Sequence, residues 1–167
     1  MRIIVSDSSC LIDIRKASLL DAFLKLPYEI LIPNTLFEDE LIKFTIAQKS
    51  AMRRSLQVVD LPGEQVLRAQ QVIGQVPALS VHDGLAFALA EENAGCTLLT
   101  ADGALRVFAG GHGIEVHGTL WVLDEMYSNN LAGTGALLAA LKLLRDDPTI
   151  RLPLRELTST IRRYENL

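Results

Sequence analysis

Short apolar runs that read as buried strands alternate along this chain with longer stretches whose apolar residues recur at helical spacing, and that alternation limits the fold more than any other feature. Ile3-Ile4-Val5 ends in the polar run Ser6-Asp7-Ser8-Ser9, after which Cys10, Leu11, Ile14, Leu19, Leu20, Phe23 and Leu24 follow a helical period. Glu29 to Pro33 reads as a second strand, with its proline at the end where no ladder donor is needed. One helix is predicted from about Thr35 to Lys49, a weak strand or extended link from Leu56 to Leu61, and a helix over 64–73 after the Pro62-Gly63 turn. Ser80 opens the clearest helix, running to Asn93, with Gly95 as its left-handed stop and Thr97 to Thr100 as a short buried strand. A short helix over 102–109, a strand at 114–116 and helices at about 119–128, 134–145 and 154–165 complete the pattern. Strands alternating with helices imply a parallel sheet covered on both faces, an α/β fold.

With 167 residues, 49% of them hydrophobic, the chain can build a core without disulfides or a structural metal. We expect a single domain over 1–167, with a core over about 1–125 and a helical extension over about 126–167. The longest apolar run, from Ala132 to Leu144, is interrupted by Gly133, Gly135 and Lys142, so no membrane span is expected. Met1-Arg2 leads at once into a strand and an acid, which does not resemble a secretory segment and points to a cytoplasmic protein. Cys10 and Cys96 lie in apolar stretches without metal-ligand spacing and read as small buried hydrophobes. A net charge of -4 argues against a polybasic nucleic-acid binder while leaving room for a local basic patch.

Position selects four of the 20 acids. Asp7 and Asp102 follow strands directly, at the sheet edge where open α/β folds bind their ligands. On a continuous helix, Glu40 shares a stripe with Leu36, Phe37, Phe44 and Ala47, and Asp83 lies above Ala86, Phe87 and Ala90. Carboxylates so placed are costly unless compensated. Each has an ordinary alternative: Ser80 to Asp83 fits a capping box, Asp7 and Asp102 can cap the helices after them, and Glu40 can be solvated. Capping does not require four acids to gather at one sheet edge, whereas a divalent cation needs hard oxygen ligands so arranged. Of the basic residues, only Arg106 lies in the stretches around Asp7, Asp83 and Asp102. The three histidines have no ligand spacing and read as structural or solvated.

At these residues the chain resembles the PIN-domain family of metal-dependent ribonucleases, which includes VapC-like toxins. The matching pieces are Ile4 to Ile12 around Asp7, Leu31-Ile32-Pro33 with Phe37 to Leu41 around Glu40, Leu79 to Leu89 around Asp83, and Leu98 to Arg106 around Asp102. Val116 to Leu123 is similar to the closing segment of a PIN-like subgroup with extra C-terminal helices. The resemblance implies a three-layer α/β/α PIN-like fold with a central parallel sheet. It also implies an Mg²⁺ or Mn²⁺ site and hydrolysis of single-stranded or loop RNA, with a protein antitoxin as a possible partner. Asp7 and Asp83 would be direct ligands, Glu40 and Asp102 ligands or acceptors that orient water, and Ser8, Ser9 and Thr100 supporting donors. Glu38 is the alternative to Glu40, and Gly103 and Ala104 depart from relatives that carry another charge after the fourth acid.

Lys43, Lys49, Arg53 and Arg54 form the candidate phosphate track, ahead of the cluster Arg151, Arg155, Arg162 and Arg163. Abundant apolar helix surface suggests a homodimer. Two further classes share parts of this pattern. A haloacid-dehalogenase-like phosphatase needs an acid two residues beyond Asp7, and Ser9 stands there. A PIN-like module that no longer binds metal would serve as an RNA- or protein-binding scaffold.

Overall fold

The computed structural model describes residues 1–167. Five strands, β1 (Ile3–Ser6), β2 (Glu29–Pro33), β3 (Gln57–Val59), β4 (Thr97–Leu99) and β5 (Glu115–His117), form one all-parallel sheet in the order β3-β2-β1-β4-β5. Side chains alternate across it as the pleat requires. Ile4, Ile30, Ile32 and Leu99 join one core with α1 (Ser8–Lys16), α2 (Leu20–Phe23), α3 (Asn34–Glu40), α8 (Thr119–Ser128), α9 (Thr134–Asp146) and α10 (Leu154–Glu165). Val5, Leu31 and Leu98 join a second core with α5 (Gly63–Gln75), α6 (Val81–Glu92) and α7 (Gly103–Gly111). The fold is therefore a three-layer α/β/α sandwich, with the sheet buried on both faces.

The order of strands matters for function. From β1 the chain steps outward through β2 to β3, then crosses back to lay β4 on the other side of β1. The switch point thus lies between the carboxyl ends of β1 and β4, the crevice in which open α/β sheets bind ligands.

The predicted elements recur with small shifts at their ends, with one substantive correction. The helix predicted over 35–49 is two helices, α3 ending at Glu40 and α4 (Ile46–Ser55). The break lets Leu41 and Phe44 turn into the core and is sealed by a capping box: the Thr45 hydroxyl accepts from Gln48 N–H at 3.0 Å, and Gln48 Oε1 accepts from Thr45 N–H at 2.9 Å. Phe44 and Ala47 are therefore not helical neighbours of Glu40. Gly95 does take a left-handed φ of 81° in the turn from α6 into β4. Helices α9 and α10 bury Leu137, Leu141, Leu144, Leu157, Ile161 and Tyr164 in the same apolar cluster as Ile4.

Candidate metal centre

Asp7 is the residue after β1, and its backbone N–H donates to Leu99 O at 3.0 Å, so the strand pairing itself fixes where its side chain starts. The carboxylate is buried and fully engaged. Oδ1 accepts from Ser9 N–H at 3.0 Å, Ser9 Oγ at 2.6 Å and, more weakly, Cys10 N–H at 3.4 Å, while Oδ2 accepts from the Thr100 hydroxyl across the strand gap. Ser9 Oγ in turn accepts from Ala101 N–H at 2.8 Å, and Thr100 Oγ1 accepts from Asp102 N–H at 3.0 Å. Burial pushes the Asp7 carboxyl up to about 7 despite these donors, with a further push from the charge of Asp83. Ser9 and Thr100 thus touch Asp7; Ser8 is buried at the first position of α1 and makes no side-chain hydrogen bond.

Asp83 reaches this edge from the first turn of α6. Its Oδ2 accepts from Ser80 N–H at 2.8 Å and its own N–H donates to Ser80 Oγ at 3.1 Å, the reciprocal capping box read in the sequence. Partial burial raises its carboxyl above the ordinary range, the Ser80 N–H lowers it, and the charge of Asp102 raises it again. Asp102 caps α7, with Oδ1 accepting from Leu105 N–H at 2.8 Å. Asp7 and Asp102 are therefore helix caps and Asp83 is the capping-box partner of Ser80, and these bonds leave Asp83 Oδ1 and Asp102 Oδ2 with no hydrogen-bond partner. At Asp83 and Asp102 capping and ligation are compatible, since each uses a different oxygen, whereas a cation at Asp7 would share Oδ2 with the Thr100 hydroxyl.

Glu40 arrives from the far end of the short α3. It lies on the Asp83 side through His82, whose Nδ1 is 3.9 Å from Glu40 Oε1 and whose Nε2 is 3.6 Å from Asp39. Glu38 points elsewhere and pairs with Arg53. His82 is the residue that sequence reasoning set aside: its Nδ1 is buried without a hydrogen-bond partner, and its adjacency to Asp83 was the available signal. Of the basic residues, Lys49 and Arg53 lie over the ring of Phe37, at 5.3 and 4.5 Å. Lys43 lines a small cavity of about 220 Å³ with Arg15 and Glu40.

The charge of Asp83 raises the Asp7 carboxyl and that of Asp102 raises the Asp83 carboxyl, and none of the three aspartates forms an ion pair with a lysine or arginine. Such a set lacks positive charge, and its donors are the hard oxygens that divalent cations take. The residues fit the chemistry of a divalent ion. As the side chains stand, no three acids share one coordination sphere.

A family model described as a PIN domain matches residues 3–166, nearly the whole chain. The chain belongs to the PIN-domain family. PIN domains are generally nucleases, so membership points to a nuclease-type function and to nucleic-acid binding. The five-stranded parallel sheet is the PIN-like architecture expected from the sequence. No curated protein matches the chain. No helix of this PIN domain is long and apolar enough to cross a membrane.

Proposed function

We propose that this PIN domain is a divalent-metal-dependent ribonuclease that hydrolyses phosphodiester bonds of single-stranded or loop RNA, serving as the toxin of a toxin–antitoxin pair. The observation that carries the reading is the buried Asp7, tied to Thr100 across the sheet's switch point and electrostatically linked through Asp83 to Asp102. Asp7 and Asp83 would hold Mg²⁺ or Mn²⁺, with Glu40 and Asp102 completing the set or orienting water. The cation supplies relief of charge on the phosphate and leaving oxygen.

The chain's own residues do the positioning. Thr100 and Ser9 hold the Asp7 carboxyl in one orientation, so that a cation would meet it without rotamer search. Glu40, at the rim beside His82, is the acceptor best suited to take a proton from an attacking water. Lys43, Lys49, Arg53 and Arg54 would steer the RNA backbone. The exposed Ile42 and Ile46, next to Lys43, offer a protein surface beside the site, which suits an antitoxin or a second subunit of a homodimer.

A second reading is favoured by the capping bonds: a PIN-like module whose acids serve only their helices and whose surface binds RNA or protein. Cleavage of single-stranded RNA in Mg²⁺ or Mn²⁺, abolished by EDTA and by Asp7→Asn, is the result expected of the nuclease. Metal-independent RNA binding with no turnover would favour the scaffold.

A further inference from the structure

The C-terminal extension does more than cover the core. The segment 151–153, between α9 and α10, returns to the turn from β5 into α8 and closes a cavity of about 540 Å³ beside Asp102, within the range of small-molecule sites and large enough for one nucleotide. Its charged and imidazole lining is Asp102, Arg106, His117, Arg151 and Glu156, with Trp121 as its large aromatic. Neither Arg106 nor Arg151 is paired with a carboxylate. Arg106 is nonetheless positioned: its Nη2 donates to Thr100 O at 3.4 Å, and it lies so close over Gly118 that a Cβ there would come within 2.6 Å of Nη2. His117 and Trp121 stack at 4.4 Å with their planes 9° apart, and Trp121 continues the stack toward Tyr28 at 6.3 Å.

Two unpaired guanidiniums beside a rigid aromatic pair, one of them bonded to the backbone oxygen of the Thr100 that holds Asp7, have the chemistry of a single-stranded RNA subsite. Arginine binds phosphate through a planar fork, and bases stack on aromatic rings whatever their sequence. We propose that this cavity holds one nucleotide of the RNA, its phosphate against Arg106 and Arg151 and its base against the His117–Trp121 pair. Glu156, in the first turn of α10, then disfavours a second phosphate at the rim. The proposal rests on the ribonuclease reading for its substrate, but its test does not require cleavage.

Trp121 is the only tryptophan in the chain and lines this cavity, so its fluorescence reports on what enters there. The full-length Asp7→Asn protein is titrated with a short single-stranded oligoribonucleotide in Mg²⁺, following Trp121 emission and, in parallel, anisotropy of a labelled RNA. Saturable quenching that tracks the anisotropy is expected, with affinity falling roughly tenfold or more in Arg151→Ala and Arg106→Ala. Arg145→Ala, whose side chain is exposed and paired with Asp146, should leave it unchanged. Arg151 is exposed and unpaired, so its loss leaves the fold intact. RNA binding without quenching, or without loss in either arginine variant, overturns the subsite, and so does absence of RNA binding. Quenching and arginine dependence with an inactive wild-type enzyme would keep the subsite and defeat the nuclease reading. Wild-type cleavage without quenching would do the reverse.

Discussion

The Thr100 hydroxyl donates to Oδ2 of Asp7, joining the residues that directly follow β4 and β1 in register, since Ser6 pairs with Leu99. Two adjacent parallel strands thus deliver an acid and its positioning donor to one point, although 93 residues separate them in the chain. Removing either partner should be felt by the other. Thr100→Val should lower metal affinity while Asp7 still caps α1, which manganese titration by calorimetry would measure; unchanged affinity would make the hydrogen bond irrelevant to ligation.

Asp7→Asn should abolish cleavage without harming the fold. Asparagine caps helices about as well as aspartate, so its side-chain oxygen can still accept from Ser9 N–H and Cys10 N–H. Asp7→Ala loses the cap and should cost about 0.5–2 kcal/mol more than the asparagine variant in urea denaturation. An Asn variant that unfolds would mean that the Asp7 carboxyl serves the fold through something the amide cannot replace.

The raised carboxyl of Asp7 also sets a pH dependence. Its folded value of about 7 lies above its ordinary 3.8, so the folded state holds a proton that the unfolded chain releases. Stability without metal is therefore fully present below about pH 4 for this group and is lost as pH rises toward 7, by at most about 1.4 kcal/mol per pH unit. Denaturation midpoints between pH 4.5 and 7 should fall in the wild type and stay flatter in Asp7→Asn. Equal slopes would place the proton elsewhere.

Glu40 and Glu38 separate cleanly by what they touch. Glu40→Gln should weaken Mn²⁺ binding, whereas Glu38→Gln should only free Arg53. A larger loss at Glu38 would move the second acid by two residues.

Salt dependence distinguishes the basic residues of α4. Arg54→Ala should reduce the slope of log affinity against log salt by roughly 0.7, the value for one phosphate contact on a single strand. Arg53→Ala should change it less, because Arg53 already pairs with Glu38. Filter binding with Asp7→Asn at several salt concentrations gives both slopes, and an equal change would mean that the Glu38 pair opens when RNA binds.

Packing of the second core can be probed at Gly84. A Cβ there would meet Ala69 O and Ile73 Cγ2, each at 2.9 Å, and the backbone oxygen cannot swing aside. Gly84→Ala should therefore cost about 1–3 kcal/mol, read as a drop in denaturation midpoint. Because α6 carries Asp83, metal affinity should fall with it; a neutral substitution would mean that α5 and α6 can separate freely.

The strands and most helices were legible because their periods are strong and their starts carry caps, as Ser80 and Asp83 illustrate. The break after Glu40 was missed although Thr45 and Gln48 spell a capping box, because no glycine or proline interrupts the apolar pattern from Leu36 to Phe44. The four acids could be selected by their places at element ends, yet which oxygens remain free depends on hydrogen bonds that no spacing encodes. The cavity at Arg106 and Arg151 was illegible for a related reason: it exists only because residues far apart in sequence are folded back together.

The core that supports Asp7 is completed last. Ile4 shares its apolar cluster with Leu157, Ile161 and Tyr164, so a ribosome synthesising this chain finishes the first strand long before the helix that covers it. Until α10 emerges, that layer stays open to water and the crevice lacks the wall formed by residues 151–153. A chain assembled in this order makes all five strands before the wall beside Asp102 can form.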